Sequence, residues 1–494
     1  MKKWFLYMFL GTAATFTVSS CGEDFLEQDP LVQQTASNFF ETEEQAIEAT
    51  NAVYFMLRDW SVHVFSYIGL SDIHSDDSEK GSTPNDAAFL RELDEYTYDQ
   101  FNIAFNGVWA GYYRGIRRAN EVIDKVPQAT IDEDLGNRLV GEAKFLRAYF
   151  YFYLVRGFGG VPLITEPTIS GQNMTRATEA EVLDQIVLDL TDAAAVLPEK
   201  SEYPTTELGR ATRGAALGFL AKVYLWRDNH DDALTTAEEV INSGEYSLAP
   251  DFANIFRVSG EHGSGSIFEV SATSSLVGHG DGGGGSQYNQ VQGVRGNPNL
   301  GWGFNWPSQE LEASFDPEDP RREATILYVG EELPDGSAVI EDNMGIDNER
   351  YNQKAWVPMQ INQGASEGNI RLLRLADVLL IAAESANELG QTDKAKMYLN
   401  MVRERARGGN PDILPDVTTS DQNELRTAIW DERRWELAME QHRWFDLKSQ
   451  DRLQEAMLAA GKTNFDPSRH IYWPIPQREI DLTGGTLAQN DGWN

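Results

Sequence analysis

The chain has 494 residues, 41% of them hydrophobic and 24% charged, and its 41 basic against 77 acidic residues leave a net charge of −36. That length is ample for a real core in one large or two fused domains, and such acidity with no basic stripe argues against nucleic acid as a partner. One cysteine permits neither an internal disulfide nor a cysteine-rich zinc site.

The first element is an export signal. Lys2 and Lys3 precede an apolar run over 4–18, and Ser19-Ser20 gives a small-residue exit just before Cys21. The run is too short, and wrongly flanked, for a spanning helix. A lone Cys directly after that exit reads as a lipid attachment point, so residues 1–20 are expected to be a lipoprotein signal peptide and 21–494 the mature chain. Acyl chains there would hold the protein at a bilayer, each buried CH₂ contributing about 0.8 kcal/mol.

Downstream, the apolar residues recur at helical period over 39–58, 102–125, 133–158, 179–197, 212–227, 230–243, 370–389, 392–407 and 421–448, with Gly or Pro at many stops. Two stretches are related. In "LAKVYLWRDNHDDA" Ala221 and Ala233 lie twelve apart, as do Ala383 and Ala395 in "IAAESANELGQTDKA". Small residues at that spacing let two antiparallel helices approach closely, as in tetratricopeptide units, with Leu217, Tyr224 and Leu379 at the large apolar positions. A mainly α fold follows: a tetratricopeptide-like scaffold of helical pairs over about 36–243 and 370–494, in a single domain, with a loop-rich insertion over about 244–369.

Two irregular stretches interrupt this scaffold. Long loops inside a helical scaffold are more often functional than accidental. "SDIHSDDSEKGSTPNDAAF" supplies Asp72, Asp76, Asp77, Lys80 and Asn85, with Arg91 just beyond. The second, glycine- and asparagine-rich, carries Tyr288, Asn289, Arg295, Asn297, Trp302, Asn305 and Trp306. Flat amphipathic rings with a few placed polar groups suit sugars, whose C–H faces stack and whose hydroxyls need partners. Trp302, Trp306 and Tyr288 are therefore expected as stacking platforms, and Asp72, Asp77, Lys80, Arg91 and Asn297 as hydroxyl partners. Trp109 and Trp226 sit inside helical patterns and read as core.

Catalytic signatures are missing. The seven histidines form no HExxH, no GxSxG elbow occurs, and "AMLAAGKT" has Ala456 where a phosphate loop needs glycine. Asp76-Asp77, Asp342 and Asp347 raise the thought of a metal or glycosidase site, yet no EF-hand spacing is present. The reading is of a non-enzyme without metal or cofactor.

The C-terminal third carries a resemblance. "WDERRWELAMEQHRWFDLKSQDRL", "IYWPIPQREIDL" and "QNDGW", together with "VWAGYYRGIRRANEVI", "LRAYFYFYLVRGFGGVPL" and "RLADVLLIAAESANELG", resemble the RagB/SusD family of nutrient-binding outer-membrane lipoproteins. In the long motif, charges from Glu432 to Arg443 stand at separations that permit intrahelical ion pairs. The resemblance implies a non-enzymatic protein lipid-anchored on the outer face of the outer membrane, which passes oligosaccharide to a SusC-like TonB-dependent transporter. It also makes Glu23 and Asp24, just after Cys21, a surface-export signal. Some members of the family handle peptides instead, so a binder of peptide or another nutrient is the alternative. A glycosidase and a purely structural repeat scaffold are further readings. The acidity favours a neutral glycan, such as a β-glucan, over polyuronates.

Overall fold

The structure is a computed structural model that describes residues 40–167, 174–274, 285–341, 349–358 and 365–493. Cys21, Glu23, Asp24, the signal segment, Asp342 and Asp347 lie outside the described residues.

The helical expectations hold for six helices before the insertion: α1 (Glu43–Phe55), α2 (Ile103–Lys125), α3 (Glu133–Phe158), α4 (Glu179–Val196), α5 (Arg213–Trp226) and α6 (His230–Asn242). Their starts follow from capping chemistry. Thr42 and Gln45 close a capping box on α1, Thr178 and Glu181 one on α4, and Asn102 and Asp132 cap α2 and α3.

After the insertion come α7 (Leu375–Glu388), α8 (Thr392–Ala406), α9 (Gln422–Leu437) and α10 (Arg443–Ser449). From α1 to α9 consecutive helices pack pairwise, and α7 packs against both α6 and α8. The two related helix pairs, far apart in sequence, are thus neighbours in space. Ala221, Ala233, Ala383 and Ala395 are all fully buried, as close helix approach requires. Trp109 is core, whereas Trp226 is only partly buried against it.

Two helical expectations needed correction. Residues 370–374 form a strand, not the first turn of α7. The run "IRLLR" is buried throughout, and it pairs with Ser266–Val270 while Arg374 reaches Glu436 and Glu440. The stretch 421–448 is also broken, between α9 and α10. Met439 and Gln441 take positive φ of 63° and 64°, which turns Glu440 and Gln441 inward toward Lys354, Arg374 and Asp72.

Strands come only in antiparallel pairs among the described residues: β1 (Ser78–Gly81) with β3 (Phe304–Pro307), β2 (Ser266–Val270) with β6 (Ile370–Arg374), and β4 (Ile326–Tyr328) with β5 (Arg350–Asn352). Each pair joins segments distant in sequence. β1–β3 matters most here, because it fastens the first irregular stretch to the second.

Candidate functional site

Between Phe55 and Ile73 the backbone winds irregularly, with π-helical turns at Trp60–Val64 and Gly69–Ile73 around the short helix Phe65–Ile68. Such turns re-aim side chains and recur at functional sites. Asp59 starts the first of them, its carboxylate accepting from the Ser61 amide at 2.9 Å and hydroxyl at 2.5 Å. Trp60 is consequently displayed, 38% exposed, at the edge of the fold.

Trp302 meets it from the insertion. The two indole centroids are 5.8 Å apart at 54°, and Phe65 lies 5.0 Å from Trp60 and 6.0 Å from Trp302. Phe89 and Phe304 extend the cluster behind Phe65, at 5.2 and 5.0 Å. In front of these rings opens a cavity of about 550 Å³, lined by Phe65, Phe89, Trp302 and Phe304 together with Asp86, Arg295 and Asn299. That volume lies within the range of small-molecule sites. At its rim Arg295 pairs with Asp86 and donates to the Ser82 hydroxyl at 2.5 Å. The hydrogen bond from Arg295 holds the Asp86 carboxyl below the usual range. The cavity therefore presents apolar faces beside a charge pair that is already neutralised.

What fixes Trp302 is the weld between its loop and β1. Gly81, at φ +69°, lets the chains close so that the Ser82 amide donates to the Gly303 carbonyl at 2.6 Å. A Cβ on Gly81 would stand 2.5 Å from that same oxygen. Next in the strand, Asn305 is fully buried with φ +58°. It accepts from Ser78 Oγ at 2.6 Å and donates to Asp72 at 3.0 Å and Gln292 at 2.7 Å. Asp72 takes two further bonds from Gln441, at 3.1 Å from the amide and 2.8 Å from the side chain. Burial nevertheless pushes its carboxyl up to about 6.

Among the expected site residues, Trp302 alone lines the cavity. Asp72 is 1% exposed and belongs to the lattice just described. Asp77 is equally buried, bound to Arg434 at 2.7 Å. Burial pushes Asp77 up against the pull of Arg434, whereas Asp76, bidentate with Arg443 at 2.7 and 2.8 Å, is held below the usual carboxylate range despite burial. Tyr288 is buried with its hydroxyl 3.0 Å from Gln441. Asp72, Asp77 and Tyr288 thus face inward, because an irregular segment needs polar groups to satisfy its own backbone and side chains.

Of the remaining four, Lys80 is as buried as Tyr288, and the other three lie nearer the surface. Lys80 sits mostly buried under Phe304, its ammonium donating to the Gly81 and Thr83 carbonyls at 3.0 and 2.6 Å. Trp306 pairs across the sheet with Glu79, which accepts its indole N–H at 2.9 Å. Arg91 donates to the Pro84 carbonyl at 3.1 Å. Asn297 is exposed and bridges to Glu341. Sequence reading passed over Trp60, Phe65, Phe89 and Asp86. The available signal was the break of helical period after Arg58, which leaves Trp60 outside the helix.

The charges of the long C-terminal motif pair across the fold, not within their own helix as their spacing suggested. Arg434 and Arg443 hold Asp76 and Asp77; Arg433 binds Asp377 and Asp446; Glu432 and Glu436 bind Arg321, Arg374, Arg403 and Arg405; Glu440 binds Lys354 and Arg374. Arg321 and Lys354 come from the insertion, so this buried lattice fastens the irregular face to the helical scaffold. Among the described residues no group of three or more His, Cys, Asp or Glu is placed to hold a metal.

The chain thus folds as a scaffold of helical pairs carrying an irregular face with an aromatic-walled cavity. The chain belongs to the SusD family: a model described as "SusD family" matches residues 264–493, and one described as "Starch-binding associating with outer membrane" matches residues 24–225. It is 28% identical to SusD-like protein P25 of Formosa agariphila, over 99% of this chain and 98% of that one. A laminarin-binding SusD-like protein superposes with a TM-score of 0.79 at 29% identity, covering 92% of this chain and all of the other. Surface glycan-binding protein A from Bacteroides thetaiotaomicron, solved in complex with laminarihexaose, superposes with a TM-score of 0.76 at 25% identity, over 90% and 99% of the two chains. The fold is thus the SusD-like glycan-binding fold.

Proposed function

We propose that the protein is a non-catalytic, cell-surface lipoprotein that captures a neutral oligosaccharide of the β-glucan kind and delivers it to a SusC-like TonB-dependent transporter. Cys21 is its lipid anchor at the outer face of the outer membrane, and Glu23 and Asp24 mark it for export to that face. The observation that carries the ligand reading is the cavity walled by Trp302, Phe65 and Phe89, with Trp60 packed against Trp302 and Phe65. Rings at differing tilts give successive sugar faces something to stack on, while Arg295 and Asp86 neutralise each other and leave no free charge of one sign for an anionic polymer. Laminarin binding by one structural relative and the laminarihexaose complex of another support the same class. Absence of chemistry is supported by the ion pairs that occupy Asp76 and Asp77.

A site of stacking with few polar contacts binds on the order of micromolar to millimolar, which suits a protein that must release its cargo. Affinity electrophoresis in laminarin tests the reading. Trp302→Ala should weaken retention about tenfold or more, given the size of one ring's contribution. Retention equal to that of the unaltered protein would remove Trp302 from the site.

A further inference from the structure

We propose that Asp86 sets the charge class of the ligand: it cancels the cation that lines the aromatic cavity, and in its absence the site would take acidic sugars. This rests on the reading of that cavity as the glycan site and adds what makes the site select a neutral chain.

The first observation is a group of cations in a chain whose net charge is −36. Basic side chains from three different elements hold the loop over 81–86. Lys80, on β1, donates to the Gly81 and Thr83 carbonyls at 3.0 and 2.6 Å, and its ammonium lies 5.6 Å from the centre of the Phe304 ring in the cavity wall. Arg91, on the short helix Ala88–Asp94, donates to the Pro84 carbonyl at 3.1 Å. Arg295 reaches the Ser82 hydroxyl from the insertion at 2.5 Å. Carbonyls and hydroxyls satisfy donors but carry no net charge, so they leave these cations uncancelled.

The second is that a single acid answers them. Among the described residues, Asp86 is the one carboxylate within ion-pair distance of Lys80, Arg91 or Arg295, and its partner is Arg295. The nearby Asp94 is taken by Lys462 at 2.7 Å. Hydrogen bonds from Arg295 and Thr83 hold the Asp86 carboxyl below the usual range, so it is ionised at neutral pH.

The third is placement. Among the described residues Asp86 and Arg295 are the ionisable part of the cavity's lining, with 41% and 32% of their side chains exposed. Asp86 meets the guanidinium through Nη1, the same nitrogen that serves Ser82. A guanidinium is a planar fork that matches a carboxylate. With Asp86 ionised, a ligand carboxylate must compete for Arg295 and meet a like charge beside it. Were Asp86 neutral, Arg295, with Lys80 and Arg91 near it, would draw that carboxylate in. One unit charge about 6 Å away, in surroundings between protein and water, changes affinity about tenfold.

The test is calorimetric titration at low ionic strength with two probes: laminarihexaose, and the same hexaose oxidised at its primary hydroxyls to carboxylates. The unaltered protein should bind the neutral hexaose more tightly. Asp86→Asn should move the ratio of the two affinities about tenfold toward the oxidised sugar, and Asp86→Ser should do likewise, whereas Asp86→Glu should keep the original preference. Asp86→Asn/Arg295→Gln restores the local charge balance and should return the ratio close to its starting value. Salt at about 1 M should erase the gain in the single variants. A ratio unmoved in both Asp86→Asn and Asp86→Ser, or a gain that survives salt and the double change, overturns the role of Asp86 and leaves the neutral-glycan reading in place. An unaltered protein that binds the oxidised hexaose as well as the neutral one, or binds neither, overturns that reading and the role of Asp86 with it.

Discussion

Asp72 stands at the point where composition and structure diverge for a single residue. An acid in a loop beside a suspected sugar site looks like a hydroxyl partner, yet here it accepts three hydrogen bonds in the interior and steadies the strand behind Trp302. Its folded carboxyl titrates near 6, above the ordinary value, so the neutral form favours folding. The stability it contributes is full below the unfolded pKa and is lost as pH rises through about 6. Asp72→Asn removes that dependence. Relative to the unaltered protein, its melting temperature should therefore stand higher at pH 7.5 than at pH 5, by an amount on the order of 1–3 kcal/mol in stability. Thermal melts at the two pH values check this, and an offset equal at both would show that Asp72 does not titrate there. Trp302 was legible from sequence as a ring in a glycine-rich loop, and in the fold it packs half-buried against the core. Trp60 was not, because only the fold brings its ring to within 5.8 Å of that of Trp302.

At the scale of elements, the helices were legible because each carries its own code of apolar period and cap. The strands were not: β1 finds its partner more than two hundred residues away, and nothing within four residues of "SEKG" announces that pairing. The motif "ERRWELAMEQHRW" lies between these cases. Its helical start was read correctly, while the direction of its charges was not, since the partners sit on other elements. Those pairs make the motif a fastening between scaffold and insertion. Arg321 is wholly buried against Asp319, Glu432 and Glu436. Arg321→Met should therefore leave buried acids with fewer partners and cost about 3–5 kcal/mol. Denaturant unfolding measures that loss, and a change below about 1 kcal/mol would mean the lattice redistributes without it.

For the molecule as a whole, the proposed position in the cell rests on its first residues and the proposed ligand class on its irregular face. Cys21→Ser should release the protein from the membrane fraction into a soluble one while laminarin retention by the purified protein stays unchanged, because the cavity proposed as the binding site is lined by Phe65, Phe89, Trp302 and Phe304, far along the chain from Cys21. Fractionation of cells followed by affinity electrophoresis checks both halves. Persistence of the variant in the outer-membrane fraction would point to a different anchor. No helix among the described residues is long and apolar enough to cross a membrane.

The sequence by itself determined the helical scaffold, its helical pairs and the family, because each is written in short-range patterns of period, capping and spacing. Tertiary structure alone decided which polar residues face outward and which hold the loops in place. The reason is physical: a loop without regular secondary structure must satisfy its buried polar groups with side chains from elsewhere, and no local pattern names those partners. Asp72, Asp77, Lys80 and Tyr288 went inward on that account, and Trp60 came to lie against Trp302.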